Sequence, residues 1–297
     1  MTFLNPLSEL SGDDDATDLE RVRKAREGSR EDLEALVERH QGWIYNIVRR
    51  MTYNPADAED ATQEILIKLI TRLASFEYRS SFRTWLYRIV VNHVLNMKRG
   101  RSEAHELTFV AYADALERAP DADLPDPRNV PADTQLLVDE AKTVCTSAML
   151  LCLDREQRLV FILGEILGVG ASVGAEILDV SQDNFRQKLL RARRDLYSFL
   201  HGQCGLVNSA NPCRCAKKTR AFIDAGYVNP ERLLFLTGRV TQVRQVTGGA
   251  LRALETLDEQ YAEIYREHPF LKSPDFVASL RDVIQGAEAR PIIDDTT

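Results

Sequence analysis

Apolar residues recur at helical spacing through most of the chain, and polar segments separate these helical stretches. Ser29 has the capping signature of a helix start. The first helical pattern ends at Asn54-Pro55, a second begins near Asp57, and a third spans about 82–100. Because no segment of useful length alternates with the period of a strand, the sequence predicts an all-α protein.

The second half of the chain has the pattern of a helix–turn–helix. Helical spacing covers 133–153 and 154–168, and a short helix over 172–178 then meets the tight connection 179–181 and a final helix over 182–200. In such a motif the second helix can enter a DNA major groove. We expect its outward face to contact DNA, and that face comprises Gln182, Asp183, Asn184, Arg186, Gln187, Lys188 and Arg191.

The apolar side of the same helix should pack inward through Phe185, Leu189 and Leu190. An ordinary amphipathic helix pair with a solvated basic face is the alternative to a DNA-reading motif. On the earlier helix over 82–100, aromatic and basic residues are interleaved, which suits stacking on unpaired bases and holding phosphates. Trp85 lies on the apolar stripe and should belong to the core, whereas Tyr87 lies off it and is the better candidate for a nucleic-acid contact.

Charge is segregated along the chain, although 38 basic and 45 acidic residues give a net charge of only −7. Acidic residues dominate 1–20 and 102–140, whereas 33–101 has a basic excess and 186–194 holds five bases and no acid. This pattern predicts two nucleic-acid-contacting modules joined by a solvated acidic spacer, or simply solvated charged faces. Prolines among the acids of 102–132 indicate a linker with at most marginal helix.

Four stretches resemble, in order, segments of the sigma factors of bacterial RNA polymerase, in particular the small extracytoplasmic-function (ECF) group. DAEDATQEILIKL (57–69) is similar to the region two helix that grips the polymerase clamp, and SSFRTWLYRIVVN (80–92) to the promoter-melting segment. Leu153–Arg158 and Arg191–Arg193 resemble the boundaries of region four. The implied domains are an acidic N-terminal segment (1–28), region two (29–101), an acidic linker (102–132), region four (133–200) and a C-terminal extension (201–297).

The resemblance also implies a role for each group of residues. The residues implied to contact core RNA polymerase are Asp57, Glu59, Asp60, Gln63 and Glu64. With the loop 77–81, the residues implied to read and open the minus-ten promoter element are Arg83, Tyr87, Arg88, Asn92, Lys98 and Arg99. The residues implied to read the minus-thirty-five element are Gln182, Asn184, Arg186, Gln187, Lys188 and Arg191. Promoter DNA and an anti-sigma factor are the other implied partners.

Two positions depart from the family pattern. Members commonly carry Glu then Ile where this chain has Val173-Gly174, so an apolar anchor and about 1 kcal/mol of helix propensity are lost there. The turn usually holds Gly where this chain has Asp179. Because Asp can visit the left-handed region, we expect the turn to survive.

Residues 201–297 extend beyond the resemblance. Near their start, His201, Cys204, Cys213 and Cys215 are spaced His-x2-Cys-x8-Cys-x-Cys. Three thiols and an imidazole could bind zinc tetrahedrally, a Cys-x-Cys pair could be redox-active, or the cysteines could be reduced and unliganded in a turn.

The rest of the extension is predicted to be helical. Asn229-Pro230 and Ser273-Pro274 have the form of helix starts, and apolar residues recur at helical spacing over 233–240 and 251–264. We hypothesise that the extension packs on the DNA-reading domain and holds the factor inactive. A partner-docking module is equally open.

Several classes of protein are disfavoured. The sequence has no convincing nucleophile–base arrangement, Gly-rich phosphate loop or His-x-x-x-His pair, so we expect no enzyme activity and no required cofactor. The longest apolar run, Ala148–Leu153, is far too short to span a bilayer, which argues against membrane insertion. Five cysteines and no signal-like start favour a cytoplasmic protein. A free-standing helix–turn–helix regulator is the alternative function.

Overall fold

A computed structural model describes residues 12–98, 107–122, 133–235 and 257–286. Within these ranges the regular structure is helical, apart from one backbone bridge between Cys204 and Cys213, which confirms the all-α prediction. Among the described helices, none is both long and apolar enough to cross a membrane. The helices are α1 (Gly12–Arg26), α2 (Arg30–Thr52), α3 (Pro55–Arg72), α4 (Phe82–Asn96), α5 (Phe109–Arg118), α6 (Asp133–Met149), α7 (Arg155–Phe161), α8 (Ala171–Leu178), α9 (Gln182–Gln203), α10 (Cys215–Asp224), α11 (Leu257–Arg266), α12 (Phe276–Ser279) and α13 (Arg281–Gly286).

Side-chain caps fix where several of these helices begin. Ser29 Oγ accepts a hydrogen bond from Asp32 N, and Ser181 Oγ accepts one from Asn184 N, as the sequence predicts. Asn54 Oδ1 accepts from Ala56 N, so α3 begins at Pro55, two residues earlier than predicted. Each cap thereby satisfies at least one of the first-turn backbone donors that have no partner within the helix.

The first of two compact units comprises the chain up to Ala104, Ile162–Lys188 and the chain from Phe270 onward. Its core lies where α2, α3 and α4 pack together, and α1 covers part of α2. The buried Asp18 of α1 lies 2.9 Å from Arg39 Nε and 3.2 Å from His40 Nε2. Trp43 Nε1 donates to the other nitrogen of His40 at 3.0 Å. The acidic N-terminal segment therefore contains a helix that docks through a buried carboxylate.

A C-terminal segment also packs in the first unit. Asn46, buried on α2, donates from Nδ2 to Leu271 O and accepts from Leu271 N at Oδ1, each at 2.8 Å. Phe276 N donates to Gln41 Oε1, and the Phe276 ring is buried near Tyr45. This part of the extension therefore lies against α2, whereas the sequence hypothesis placed the extension on the DNA-reading domain.

The second unit comprises His105–Phe161 and Leu189–Pro269. It contains α5, which falls inside the predicted linker, so the expectation of at most marginal helix is wrong for residues 109–118. Thr108 caps α5 by accepting from Ala111 N, Tyr112 donates from its hydroxyl to Cys145 O, and Leu116 is buried. These tertiary contacts stabilise a helix that is too short to be stable alone.

Two predicted helix starts in the extension are wrong. Residues 229–235 form turns, because the buried Glu140 carboxylate accepts hydrogen bonds from the backbone N–H groups of Leu234 and Phe235. The helix expected at Ser273-Pro274 instead begins at Phe276, with Asp275 as its cap. α11 confirms helix over Leu257–Ile264. The apolar positions Leu236, Val240, Leu251 and Leu254 lie outside the described residues.

Candidate nucleic-acid interface

The acidic face of α3 borders a groove of about 770 Å³ that also involves α4. Glu59, Asp60 and Glu64 are exposed, whereas Asp57 and Gln63 are half-buried. Asp57, Asp60 and Glu64 line the groove on the α3 side. Asp57 lies in the first turn of α3, where an acidic side chain suits the positive end of the helix.

The α4 side of the groove is lined by residues predicted to contact DNA. Asn92 and Lys98 are exposed there, with the buried His93 between them along the chain. The structure thus places part of the expected polymerase face and part of the expected DNA face along one groove. Lys68 Nζ lies 2.6 Å from His93 Nδ1, and burial, followed by the Lys68 charge, lowers the pKa of His93. Arg99 lies outside the described residues.

Two other residues predicted to contact DNA are buried. Tyr87 is 1% exposed, and its ring stacks on Trp43 with the centroids 4.2 Å apart. Arg83 is 7% exposed and lies among the groups around His40. The expectation that Tyr87 faces outward is therefore wrong, because Trp43 of α2 packs on its ring. Burial raises the pKa of the Tyr87 hydroxyl well above its usual range.

Trp85, expected in the core, is only half-buried and stacks on Phe82 with the centroids 5.5 Å apart. The exposed aromatic residue near this helix is instead Tyr78, which is 40% exposed in the loop 77–81. Its backbone is left-handed, with φ +58°, and its ring lies 4.7 Å from that of Phe76. The loop was expected to contact DNA, but Tyr78 was not named individually, although an aromatic residue in a loop assigned to base capture is itself a signal.

Arg88, the exposed arginine of α4, contacts Glu176 of α8. Its Nη2 lies 3.3 Å from Glu176 Oε1, and its Nε donates to Glu176 O. Both side chains are close to half exposed, so this ion pair is screened by solvent. In this contact the Arg88 guanidinium, which the promoter-melting role would need, already has a carboxylate partner.

The predicted helix–turn–helix corresponds to α8, a turn at Asp179 and α9. Asp179 adopts the left-handed conformation, with φ 54° and ψ 48°, which confirms the expected turn. The Phe185 ring packs directly on Gly174, where an added Cβ would lie 2.5 Å from Cζ. Phe185 is buried as expected, but Leu190 is 66% exposed and does not face the core.

The polar face of α9 is displayed as the sequence predicts. Lys188 is half-buried, and the exposed members are Gln182, Asp183, Asn184, Arg186, Gln187 and Arg191. Arg186 is held along the helix by Asp183 Oδ1 at 2.9 Å and by Gln182 Oε1 at 3.2 Å. A guanidinium fixed in this way can form paired hydrogen bonds to a guanine edge, although it must exchange partners to do so.

The predicted metal set is divided in the structure. His201 is exposed, and its Nδ1 lies 3.0 Å from the Tyr261 hydroxyl. Cys204, Cys213 and Cys215 instead line a cavity together with Cys145 of α6, which the sequence analysis did not single out. All four are free thiols, and burial raises the pKa of each. Among the described residues, no three His, Cys, Asp or Glu side chains form a group ready to hold a metal ion.

Comparison with known proteins gives matches in the same part of the chain. A family model described as Sigma-70 region 2 matches residues 36–104, which contain most of α2, α3 and α4. An ECF RNA polymerase sigma factor, SigE of Mycolicibacterium smegmatis, is 29% identical over 165 residues. That match covers 56% of this chain and 60% of the M. smegmatis protein.

Two further relatives are matched over most of their length. The ECF RNA polymerase sigma-E factor of Escherichia coli is 29% identical over 181 residues, which is 60% of this chain and 91% of that protein. The RNA polymerase sigma factor YlaC of Bacillus subtilis is 30% identical over 167 residues, which is 56% of this chain and 91% of YlaC. The groove beside α3, the exposed face of α9 and these matches lead to one conclusion: the chain belongs to the RNA polymerase sigma factors of the ECF group.

Proposed function

We propose that this chain binds core RNA polymerase through the acidic face of α3 and directs transcription initiation at specific promoters. The observation that carries the proposal is the groove in which Asp60 and Glu64 of α3 face residues of α4, within the segment that matches Sigma-70 region 2. A free-standing repressor has no need for such a surface. Acidic side chains suit a basic partner surface, because complementary charge guides and orients association.

On the promoter side, the proposal assigns Arg88, Asn92 and Lys98 of α4 to the minus-ten element. The loop 77–81 supports this assignment, because its Tyr78 ring is exposed and can stack on a base that leaves the duplex. Tyr87 and Arg83 are omitted, because both are buried in the first unit.

For the minus-thirty-five element, we assign the exposed face of α9. Amide and guanidinium groups at Gln182, Arg186 and Gln187 can pair with base edges, and Arg191 can neutralise a phosphate. An anti-sigma partner, implied by the resemblance, stays a prediction.

The first test is a binding and transcription assay with purified core polymerase on the upstream region of the gene itself. Reversing charge at two groove positions, Asp60→Lys with Glu64→Lys, should weaken core binding at least about tenfold, which is ~1.4 kcal/mol. The matched control reverses the exposed acids Glu31 and Glu38 of α2, with the same change in net charge. That control should bind core normally.

The result also separates the two functions that remained after sequence analysis. Core-dependent transcript from the intact chain, lost in the groove variant and kept in the control, supports the sigma-factor assignment. Specific binding to promoter DNA without any affinity for core polymerase would overturn it in favour of a free-standing regulator. Equal weakening by both variants would show that bulk charge, and not the groove, determines binding.

A further inference from the structure

Four of the five cysteines of the chain surround one small cavity in the second unit. Cys145 comes from α6, Cys204 follows α9, Cys213 lies in the next loop, and Cys215 is the first residue of α10. The cavity has a volume of about 20 Å³. A volume of roughly 10–15 Å³ is enough for one water molecule, so the space fits a single ion and excludes a small organic ligand.

The loop that carries three of these thiols is already shaped. Cys204 and Cys213 pair through their backbones in an isolated bridge, and a Cβ at Gly205 would collide with the Cys213 carbonyl oxygen. Asn211 Nδ2 donates to His201 O at 2.8 Å. Arg214 donates to the carbonyl oxygens of Ser209, Asn211 and Cys213. These contacts hold the loop against the end of α9, so its cysteines are positioned by the fold.

We propose that Cys145, Cys204, Cys213 and Cys215 bind one soft divalent cation of the Zn²⁺ class as a tetrathiolate site. Soft thiolate ligands select such cations, and four sulfur atoms satisfy a closed tetrahedral coordination. Each thiol releases its proton to solvent on binding, and no redox change is involved. The proposal replaces His201 with Cys145, because His201 is exposed and lies beside Tyr261, whereas Cys145 lines the cavity.

The four side chains must turn inward to bind. As they stand, the four side chains do not form a coordination group, and the Sγ atom of each can turn about the Cα–Cβ bond between staggered rotamers. Four thiolates with one divalent cation carry a net negative charge, and the surroundings of the cavity suit that charge. The amino end of α10 begins at Cys215, and Lys142 also lines the cavity.

A bound cation would connect α6, the end of α9 and the start of α10. It would thereby link the extension to α6, which lies about sixty residues earlier in the chain. Because binding to the folded state alone stabilises it, occupancy should raise the stability of the second unit. This inference is independent of the proposed function and does not require polymerase.

The test uses the intact chain, reduced and treated with a chelator, then titrated with Zn²⁺ and separately with Co²⁺. We expect one Zn²⁺ per chain by elemental analysis. With Co²⁺ we expect the visible absorption of a tetrahedral ion together with sulfur-to-metal charge transfer of tetrathiolate intensity. No binding at equimolar metal would overturn the proposal, as would a Co²⁺ spectrum of octahedral form.

Three variants identify the ligands. Cys145→Ser and Cys215→Ser should each reduce Zn²⁺ affinity at least a hundredfold and lower the Co²⁺ charge-transfer intensity. The matched control is Cys152→Ser, because Cys152 is the one cysteine that does not line the cavity. His201→Ala should also bind normally. Retained binding in Cys145→Ser together with loss in His201→Ala would overturn the proposed set. Circular dichroism checks that each variant folds, and a variant of Cys215 guards against a folding defect peculiar to Cys145.

Discussion

Gly174 of α8 and Phe185 of α9 are packed so closely that no larger residue than glycine fits at position 174. An added Cβ would lie 2.5 Å from Phe185 Cζ and 2.9 Å from Cδ2. Phe185 is fully buried, so its ring has little room to move away. The glycine interpreted from the sequence as a lost apolar anchor is thus the position on which the aromatic ring of Phe185 packs.

Gly174→Ala should therefore destabilise the helix–turn–helix. Overpacking a filled core costs about 1–3 kcal/mol, and the better helix propensity of alanine returns at most ~1 kcal/mol. We expect the local free energy of unfolding of this motif to fall by about 1–2 kcal/mol. Faster hydrogen exchange over residues 171–188 would measure this loss. Gly202→Ala is the control, because Gly202 is also helical and an added Cβ there would have no neighbouring atom within 4 Å. Equal exchange protection in the two variants would contradict the packing argument.

Asn46→Leu should release the C-terminal segment from α2. The substitution removes both hydrogen bonds between Asn46 and Leu271. The buried backbone N–H and C=O of Leu271 then lack that partner, which should lower stability by about 1–3 kcal/mol. Gln41→Leu removes only the bond from Phe276 N, so its effect should be smaller. Hydrogen exchange over residues 270–286 measures both. A larger effect at Gln41 than at Asn46 would show that the bidentate contact is not what holds the segment.

Arg88→Ala should impair promoter opening, whereas Glu176→Ala should not. The two residues form one exposed ion pair, so either change should alter stability by less than about 1 kcal/mol. Only Arg88 is assigned to DNA, and Glu176→Ala removes the carboxylate partner of its guanidinium while leaving the backbone carbonyl that accepts from Arg88 Nε. Permanganate reactivity of unpaired thymines in the polymerase complex reports opening. Similar defects in both variants would mean that the ion pair itself, and not a DNA contact by Arg88, is required.

The stability of the first unit should fall in mild acid because of His40. Burial lowers the pKa of His40, against the opposing effect of Asp18, so the imidazole gains a proton less readily in the folded state than in the unfolded chain. In the unfolded chain His40 gains a proton below about pH 6.5. The unfolded state then binds more protons, and the free energy of unfolding should fall by up to about 1.4 kcal/mol per pH unit as the pH drops below that value.

Urea unfolding followed by tryptophan fluorescence tests this prediction, because both tryptophans of the chain, Trp43 and Trp85, belong to the first unit. His40→Gln can still accept from Trp43 and donate to Asp18, and its stability should depend less on pH between 7.5 and 5.5. His93 also has a lowered pKa and contributes with the same sign, but it is present in both proteins. Identical pH slopes would rule out His40 as the source.

The features that sequence analysis identified correctly are decided by residues close together in the chain. The caps at Ser29 and Ser181 and the left-handed turn at Asp179 each depend on groups within a few positions. The exposed face of α9 follows from the helical period alone. The order of the motifs that identifies the family is also a property of the sequence alone. The resemblance and the comparisons with known proteins therefore indicate the same family.

The sequence by itself determined most of the helices, the caps at Ser29 and Ser181 and the family, because those signals are local or strictly ordered along the chain. Only the tertiary structure decided which faces are covered. Tyr87 lies off the apolar stripe of α4 and is still buried, because Trp43 of another helix stacks on it. Cys145 joins three cysteines that follow it by some sixty residues or more, and the Glu140 carboxylate holds residues near 235 out of a helix. Such contacts join segments far apart in sequence, and no local period or propensity records them.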